Sequence, residues 1–255
     1  MGMSSNRSGR FRLLRGLLPA SGLGCVLWSA VVMPSLWQVA PANDAAERVI
    51  AADRFKPGAL ASVLTVVEAV PVALSHPRLT RGEAVIRLRI AEEGVARKSS
   101  EQVDIDGVAA KQTLIAALGA NPADAFLWLA LYSIETSRAG FDPKAIAYLE
   151  QSYLAAPHEG WIAVRRNRLA VAVFPMLSDA AQAQVVNEFA ELVDSDFHGD
   201  AEASLTGIGW MHRKRLLAGL DRVEIASREA FARLLSRDGY DVQIPGAKPK
   251  ERPWQ

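Results

Sequence analysis

Apolar residues recur with a helical period along most of this chain. Between Pro122 and Pro157, two amphipathic segments of about fifteen residues each are separated by a polar break at Ser137–Asp142. We predict one helix over about 123–138, ended by Gly140, and a second over about 143–156, capped by Asp142. This spacing is that of one helix-turn-helix unit in a superhelical repeat protein.

The chain on both sides of this unit is also predicted to be helical. Three Asp/Thr-x-x-Glu patterns, at 44–47, 80–83 and 221–224, predict capping boxes that start helices. Polar residues 98–105 predict a loop, and Gly119 predicts a helix C-cap. No segment alternates as a strand of an antiparallel sheet would, so the predicted fold class is all-α. The other predicted helices span about 44–53, 59–70, 81–97, 108–118, 159–174, 179–193, 200–217 with a break at Gly207 and Gly209, and 221–238.

The N-terminal segment predicts a membrane anchor. Four arginines between residues 7 and 15 precede a run without charges from Gly16 to Asn43. Its apolar centre, Leu17–Trp37, is long enough to cross a bilayer core of about 30 Å as a helix. The arginines predict a cytoplasmic basic end over 1–15, a transmembrane signal anchor over 16–38, and a periplasmic location for the rest.

Three other interpretations of this segment remain open. Ala40-Pro41-Ala42 is a weak site for cleavage of a signal peptide, although the apolar run is long for one. Cys25 suggests a lipoprotein signal, but Gly22-Leu23-Gly24 lacks the expected large aliphatic residue three positions before it. The segment could also be a buried core helix, which the flanking arginines disfavour.

Composition limits the classes of protein to consider. The 255 residues are 50% hydrophobic and 22% charged, which fits one or two folded domains. The formal net charge is +1, so the global basic excess of many nucleic-acid-binding proteins is missing. The single cysteine, Cys25, excludes an intramolecular disulfide and a cysteine-based metal cage.

Five residues of the Pro122–Pro157 unit stand at characteristic repeat positions: Trp128, Leu131, Ala145, Leu149 and Pro157. Through these residues the unit resembles a tetratricopeptide repeat. Tyr132 stands where the family has Gly or Ala, Ser152 replaces a usual Ala, and the loop is one residue longer. The resemblance implies antiparallel helix pairs over about 44–239, arranged as a right-handed α-solenoid; an irregular bundle is the alternative. The whole layout is also similar to bacterial envelope proteins, some of them linked to polysaccharide export.

No pattern in the sequence predicts a catalytic, cofactor-binding or metal-binding residue. The four histidines are far apart in sequence and lack partners at metal-ligand spacing. No phosphate-binding glycine loop and no nucleophile elbow occurs. The acidic pairs Glu92/Glu93 and Asp104/Asp106 are expected at helix ends, where they are solvated or complement the helix dipole. The chain is therefore not expected to be an enzyme or to need a cofactor.

Two clusters combine a tryptophan with basic residues and are the candidate binding sites. Guanidinium groups beside an indole could hold anionic or sugar-bearing ligands or an acidic peptide. The alternative is that these arginines form intramolecular salt bridges and cover the helices with their stems. Arg166 shares a face with Ile162 and Leu169, so we predict that it is buried and paired. The candidate residues are Trp161, Arg165 and Arg168, and Trp210, Arg213 and Arg215.

These patterns predict a single-pass, membrane-anchored helical module of the bacterial envelope, with its helical domain at 44–239 on the periplasmic side of the inner membrane. Its expected role is binding or scaffolding of envelope proteins without catalysis; nucleic acid is not an expected partner. An accessory factor in exopolysaccharide synthesis or export that binds an anionic glycan is one alternative. An enzyme of unrecognised type is another. The tail at 240–255, rich in proline and basic residues, is expected to be extended and mobile.

Overall fold

The computed structural model describes residues 22–23, 26–29, 40–51, 53–71, 76–95, 99–157 and 159–247. Over these residues the chain consists of helices, turns and irregular connections, without a strand, which confirms the all-α prediction. The chain divides into two units, Met1–Thr113 and Leu114–Gln255.

The predicted membrane anchor lies mostly outside the described residues. Only residues 22–23 and 26–29 of the segment 16–38 are described, and they are helical. Among the residues that the structure does describe, no helix combines the length and the apolar character needed to span a bilayer.

The first unit contains helices α1 (40–50), α2 (Ala59–Glu68) and α3 (Pro77–Gly94). Two small apolar clusters join them, one around Ala42 and Val67 and one around Ala45 and Ile86. The close approach of α1 and α3 depends on Gly82, where an added Cβ would lie 3.1 Å from the carbonyl oxygen of Ala42. Helix α4 (Ser100–Ala120) contains the boundary between the units.

The second unit contains a helical hairpin followed by a longer helical series. Helix α5 packs closely on α6, α7 packs on α8 and α9, and α8 also contacts α10 and α11. Short 3-10 segments at Phe174–Met176, Ile208–His212 and Gly219–Arg222 connect the later helices. The helices are α5 (Ala125–Ala139), α6 (Ile146–Ala155), α7 (Gly160–Ala172), α8 (Asp179–Asp194), α9 (His198–Thr206), α10 (Arg213–Ala218) and α11 (Ile225–Arg237).

The α5–α6 hairpin confirms the predicted helix pair and its cap. The Asp142 side chain accepts a hydrogen bond from the backbone N–H of Lys144 at 2.9 Å. Gly140 ends α5 with a φ of 75°, a left-handed conformation that favours glycine. Ser152, which departs from the repeat pattern, donates its hydroxyl to the Ala125 carbonyl at 2.8 Å and so joins the two helices.

The three predicted capping boxes are wrong. Asp44 lies inside α1, which is already helical from residue 40. Helix α3 begins earlier than predicted, at Pro77, because proline presets the helical φ there and His76 caps the helix by accepting from the N–H of Arg78. Helix α11 begins at Ile225, and Asp221 belongs to the preceding 3-10 segment. Residues three positions apart lie on the same face of a helix, so an acidic residue three positions after a short polar residue also occurs inside helices. This pattern alone therefore does not locate the start of a helix.

The prediction of a loop over 98–105 is also wrong. Residues 100–105 belong to α4, which continues through Gly119 instead of ending there. The tail packs on the second unit as far as residue 247: Ile244 is buried, and Arg228 donates from Nη1 to the Pro245 carbonyl at 2.6 Å. Residues 240–247 contain no helix or strand. Residues 248–255 lie outside the described residues.

Candidate functional site

An open pocket of about 510 Å³ lies in the second unit. One wall is the turn between α7 and α8 together with the first part of α8. The other wall is the end of the 3-10 segment Ile208–His212 and the start of α10. The pocket is lined by Phe174, Pro175, Gln182, Met211, His212, Arg213, Lys214 and Arg215.

A glycine allows this second wall to form. An added Cβ at Gly209 would lie 2.3 Å from the carbonyl oxygen of Ser204 and 3.0 Å from Cγ1 of Val171. Because no side chain fits at that distance, glycine is required for the chain to turn tightly after α9. The turn confirms the predicted break at Gly207 and Gly209, and it places the residues that follow, Met211 to Arg215, along the pocket.

Two arginines of the pocket are held by neutral groups. The guanidinium carbon of Arg215 lies 5.2 Å from the centroid of the Phe174 ring, and its Nη1 donates to Oε1 of Gln182. The guanidinium carbon of Arg213 lies 4.7 Å from the Trp210 ring, and its Nη1 donates to the Trp210 carbonyl at 2.8 Å. Neither arginine has a carboxylate within salt-bridge distance in the part of the chain that the structure describes, so no described acidic group neutralises their charge.

Two further basic residues complete the lining. The His212 ring centroid lies 4.9 Å from that of Phe174. Lys214 is exposed, and its ammonium group has no partner among the described residues. None of the eight lining residues is acidic. The pocket is therefore built to hold negative charge by charge-assisted hydrogen bonds.

The structure separates the two predicted clusters. Arg213 and Arg215 line the pocket, and Trp210 packs against Arg213. Trp161, Arg165 and Arg168 do not line it: they are exposed on α7, where the Trp161 ring centroid lies 5.4 Å from that of Phe126. The alternative in which the arginines form intramolecular salt bridges does not hold for the pocket arginines within the described residues.

Arg166 is buried and paired, as predicted, and its partner is Glu188 of α8. Both side chains are almost inaccessible, at 0% and 1% exposure. Arg166 donates to Oε1 of Glu188 from Nε at 2.8 Å and from Nη2 at 2.6 Å. Oε2 of Glu188 accepts from the Tyr153 hydroxyl at 2.6 Å and faces Nδ2 of Asn167 at 3.5 Å. We call Tyr153, Arg166, Asn167 and Glu188 the buried polar cluster.

The buried polar cluster also caps the C-terminus of α6. Nη1 of Arg166 donates to the carbonyls of Ser152 at 2.8 Å and Ala156 at 3.0 Å. These carbonyls lie at the C-terminus of α6, where a helix carries partial negative charge, and the Ser152 carbonyl also accepts from the N–H of Ala156 at 3.3 Å. The Tyr153 ring covers the guanidinium at 4.2 Å. A single arginine therefore joins α6, α7 and α8.

Burial changes the titration of the cluster. Desolvation raises the pKa of Glu188 above its ordinary value, against the opposing effects of Arg166, Tyr153 and Asn167. Burial and the neighbouring Glu188 raise the pKa of Tyr153 well above its ordinary range, so the phenol keeps its proton and donates it. Perturbed groups of this kind often mark catalytic sites, but the absence of solvent access to Arg166 and Glu188 makes this cluster a structural one.

Sequence reasoning missed Glu188 and the aromatic wall of the pocket. Glu188 occupies the apolar stripe of α8 between Val185 and Leu192, and an acid inside such a stripe is a readable sign of a buried partner. Phe174 and Gln182 gave no comparable sign, because their approach to Arg215 depends on packing between segments that are distant in sequence.

Within the described part of the chain, no three His, Cys, Asp or Glu residues are placed to hold a metal ion together.

Comparison of the chain with protein-family models, with curated proteins and with solved structures finds no match in any of the three.

Proposed function

We propose that this chain is a membrane-anchored binding or scaffolding module of the bacterial envelope that acts without catalysis. The observation that carries the proposal is the pocket of the second unit, whose cations have no acidic partner within the described residues. An exposed positive charge beside a partly apolar wall has little effect on solubility or on the free energy of unfolding. It favours a partner that carries negative charge. The mechanism is surface complementarity on packed helices, with no covalent step.

The tetratricopeptide-like architecture is part of this proposal. It is supported by the α5–α6 hairpin, in which the Trp128 and Tyr148 rings stack at 6.1 Å and Ser152 bonds to Ala125. Repeat proteins of this kind bind partners on surfaces formed by successive helix pairs.

The proposed location rests on the sequence of the N-terminal segment. The arginines before residue 16 and the run without charges from Gly16 to Asn43 support a single inner-membrane span with the helical domain in the periplasm. A C-terminal fusion to a reporter that is active only in the periplasm tests this topology. Activity is expected; a signal only from a reporter that is active in the cytoplasm would reject the topology.

The binding role is tested with the full-length chain in mild detergent. Chemical crosslinking in cells, followed by purification of the chain, is expected to recover one or a few envelope proteins in amounts comparable to the chain itself. A chain that is recovered without any such partner would reject the scaffolding role.

A second candidate function is binding of an anionic glycan, as an accessory factor in exopolysaccharide synthesis or export. The observation that favours it is on α7, where Trp161 is 48% exposed and the neighbouring Arg165 and Arg168 are exposed as well. An exposed indole beside guanidinium groups suits a sugar ring that carries a carboxylate. Reversing both charges, with Arg165→Glu and Arg168→Glu, should abolish glycan binding and leave the helical circular dichroism signal intact; unchanged binding would reject this function.

A further inference from the structure

The pocket presents its cations in an ordered arrangement. Arg213 and Arg215 are each fixed by one hydrogen bond and one aromatic ring. Because each guanidinium has five N–H donors, donors remain on both for a ligand. Lys214 lies between them in sequence, is exposed and has no partner among the described residues. Three neighbouring cations of this kind suit a ligand with more than one anionic group.

The pocket also has an apolar side. Met211 is 83% exposed, an unusual position for a large apolar side chain, and like Pro175 it lines the pocket. Methionine is flexible and polarizable, and it adapts to apolar side chains of different shapes. The ligand is therefore expected to place an apolar group next to its anionic groups.

The aromatic residues of the pocket do not offer an open face to a sugar. Phe174 is buried, and Arg215 and His212 lie against its ring at 5.2 Å and 4.9 Å. Trp210 is covered by Arg213 at 4.7 Å, and Tyr240 packs against it at 5.7 Å. Stacking on an exposed ring is unavailable here, in contrast to Trp161 on α7. The open groups are the cations and Met211.

From these features we infer that the pocket binds an acidic peptide segment of a partner protein, in which an apolar side chain neighbours the carboxylates. This inference rests on the proposed binding function and names the chemistry of the partner. The volume of about 510 Å³ accommodates a few side chains, within the usual range of about 300–1,000 Å³ for ligand pockets. Carboxylates pair with Arg213, Lys214 and Arg215, and the apolar side chain packs on Met211.

The test is fluorescence anisotropy with the full-length chain in non-ionic detergent. The probe is a labelled short peptide that alternates Glu and Leu, and its reference is the same peptide with Gln in place of Glu. The Glu peptide is expected to bind at least about tenfold more tightly, because hydrogen bonds between charged groups stabilise more than neutral ones. Equal binding of the two peptides would overturn the inference.

Two variants and a matched control locate the binding. Lys214→Glu should weaken binding of the Glu peptide by about tenfold or more. Met211→Ser should weaken its binding by roughly fivefold, because the apolar contact is lost. Lys144→Glu carries the same charge change at an exposed lysine that does not line the pocket, and it should bind as the wild type does. An equal loss in Lys144→Glu would show a net-charge effect and overturn the assignment.

Two further probes test other anionic ligands. Oligogalacturonate, an acidic sugar chain, and nanodiscs with anionic lipid are titrated against the same chain. Tighter binding of either one than of the Glu peptide, if it is lost in Lys214→Glu, would assign the pocket to that ligand and overturn the peptide inference.

The result is separable from the fate of the proposed function. If crosslinking recovers the same partners from Lys214→Glu as from the wild type, the scaffolding role stands and the pocket is not its binding site. If no partner is recovered but the Glu peptide binds in the expected pattern, the pocket assignment stands and the scaffolding role fails.

Discussion

Removing Arg166 should destabilise the second unit more than removing any exposed arginine. In Arg166→Met, the Glu188 carboxylate stays buried and loses both of its guanidinium hydrogen bonds, at 2.8 and 2.6 Å. The carbonyls of Ser152 and Ala156 also lose the Arg166 donor, although the Ser152 carbonyl keeps the N–H of Ala156. Breaking a buried ion pair from one side typically costs about 3–5 kcal/mol. A loss of this size lowers the Tm of a domain this large by roughly 10–15 °C.

The assay is urea and thermal unfolding followed by far-ultraviolet circular dichroism. Arg168→Met, on the same helix but exposed, is the matched control and should change the free energy of unfolding by less than about 0.5 kcal/mol. The double variant Arg166→Met/Glu188→Leu removes both charges, so its loss should be smaller than the sum of the two single losses by at least about 1 kcal/mol. Additive losses, or an Arg166→Met variant as stable as Arg168→Met, would refute the role of the buried pair.

Three further predictions follow from the same contacts. Burial raises the pKa of Glu188 in the folded state, so the stability contributed by this carboxyl is complete below the ordinary carboxyl pKa and is lost as pH rises through the folded-state pKa. The free energy of unfolding of the wild type, relative to that of Glu188→Gln, should therefore fall over this pH range. A rise over the same range would contradict the prediction. Gly209→Ala should lower the Tm and weaken peptide binding, because its Cβ would lie 2.3 Å from the Ser204 carbonyl oxygen, whereas Gly199→Ala, in open space, should do neither. Asp124→Ala removes the cap that accepts from the Leu127 N–H and should cost about 1 kcal/mol in urea unfolding; an unchanged midpoint would show that the cap does not stabilise α5.

Local chemistry accounts for the parts of the fold that were predicted. Helical periodicity located the helices, and the conformations at Gly140 and Gly239, with φ of 75° and 91°, are those that favour glycine after a helix. The predicted helix starts at Asp44, Thr80 and Asp221 were wrong because the same residue spacing also occurs inside a helix. The position of an N-cap depends on where the preceding chain stops being helical. The four residues of a capping box do not determine that position.

The candidate site was only partly predictable for a different reason. Periodicity placed Arg166 on a buried face, and sequence proximity grouped Arg213 with Arg215 because only Lys214 separates them. It could not pair Arg166 with Glu188, 22 residues away, or bring Gln182 to Arg215, 33 residues away. Such contacts depend on how α7, α8 and the segment after α9 pack, and this arrangement is not carried by any single helix.

The buried polar cluster also constrains how this sequence can change over time. Replacing Arg166 or Glu188 alone leaves an uncompensated charge inside the protein, so an exchange for apolar residues has to pass through a strongly destabilised intermediate. Natural variants that keep the packing of α6, α7 and α8 are therefore expected to retain the pair, together with the tyrosine that lies 35 residues before the glutamate. That three-residue signature, with its fixed spacing and its acid within an apolar helix stripe, offers a way to recognise distant relatives whose surfaces, including the basic pocket, have diverged.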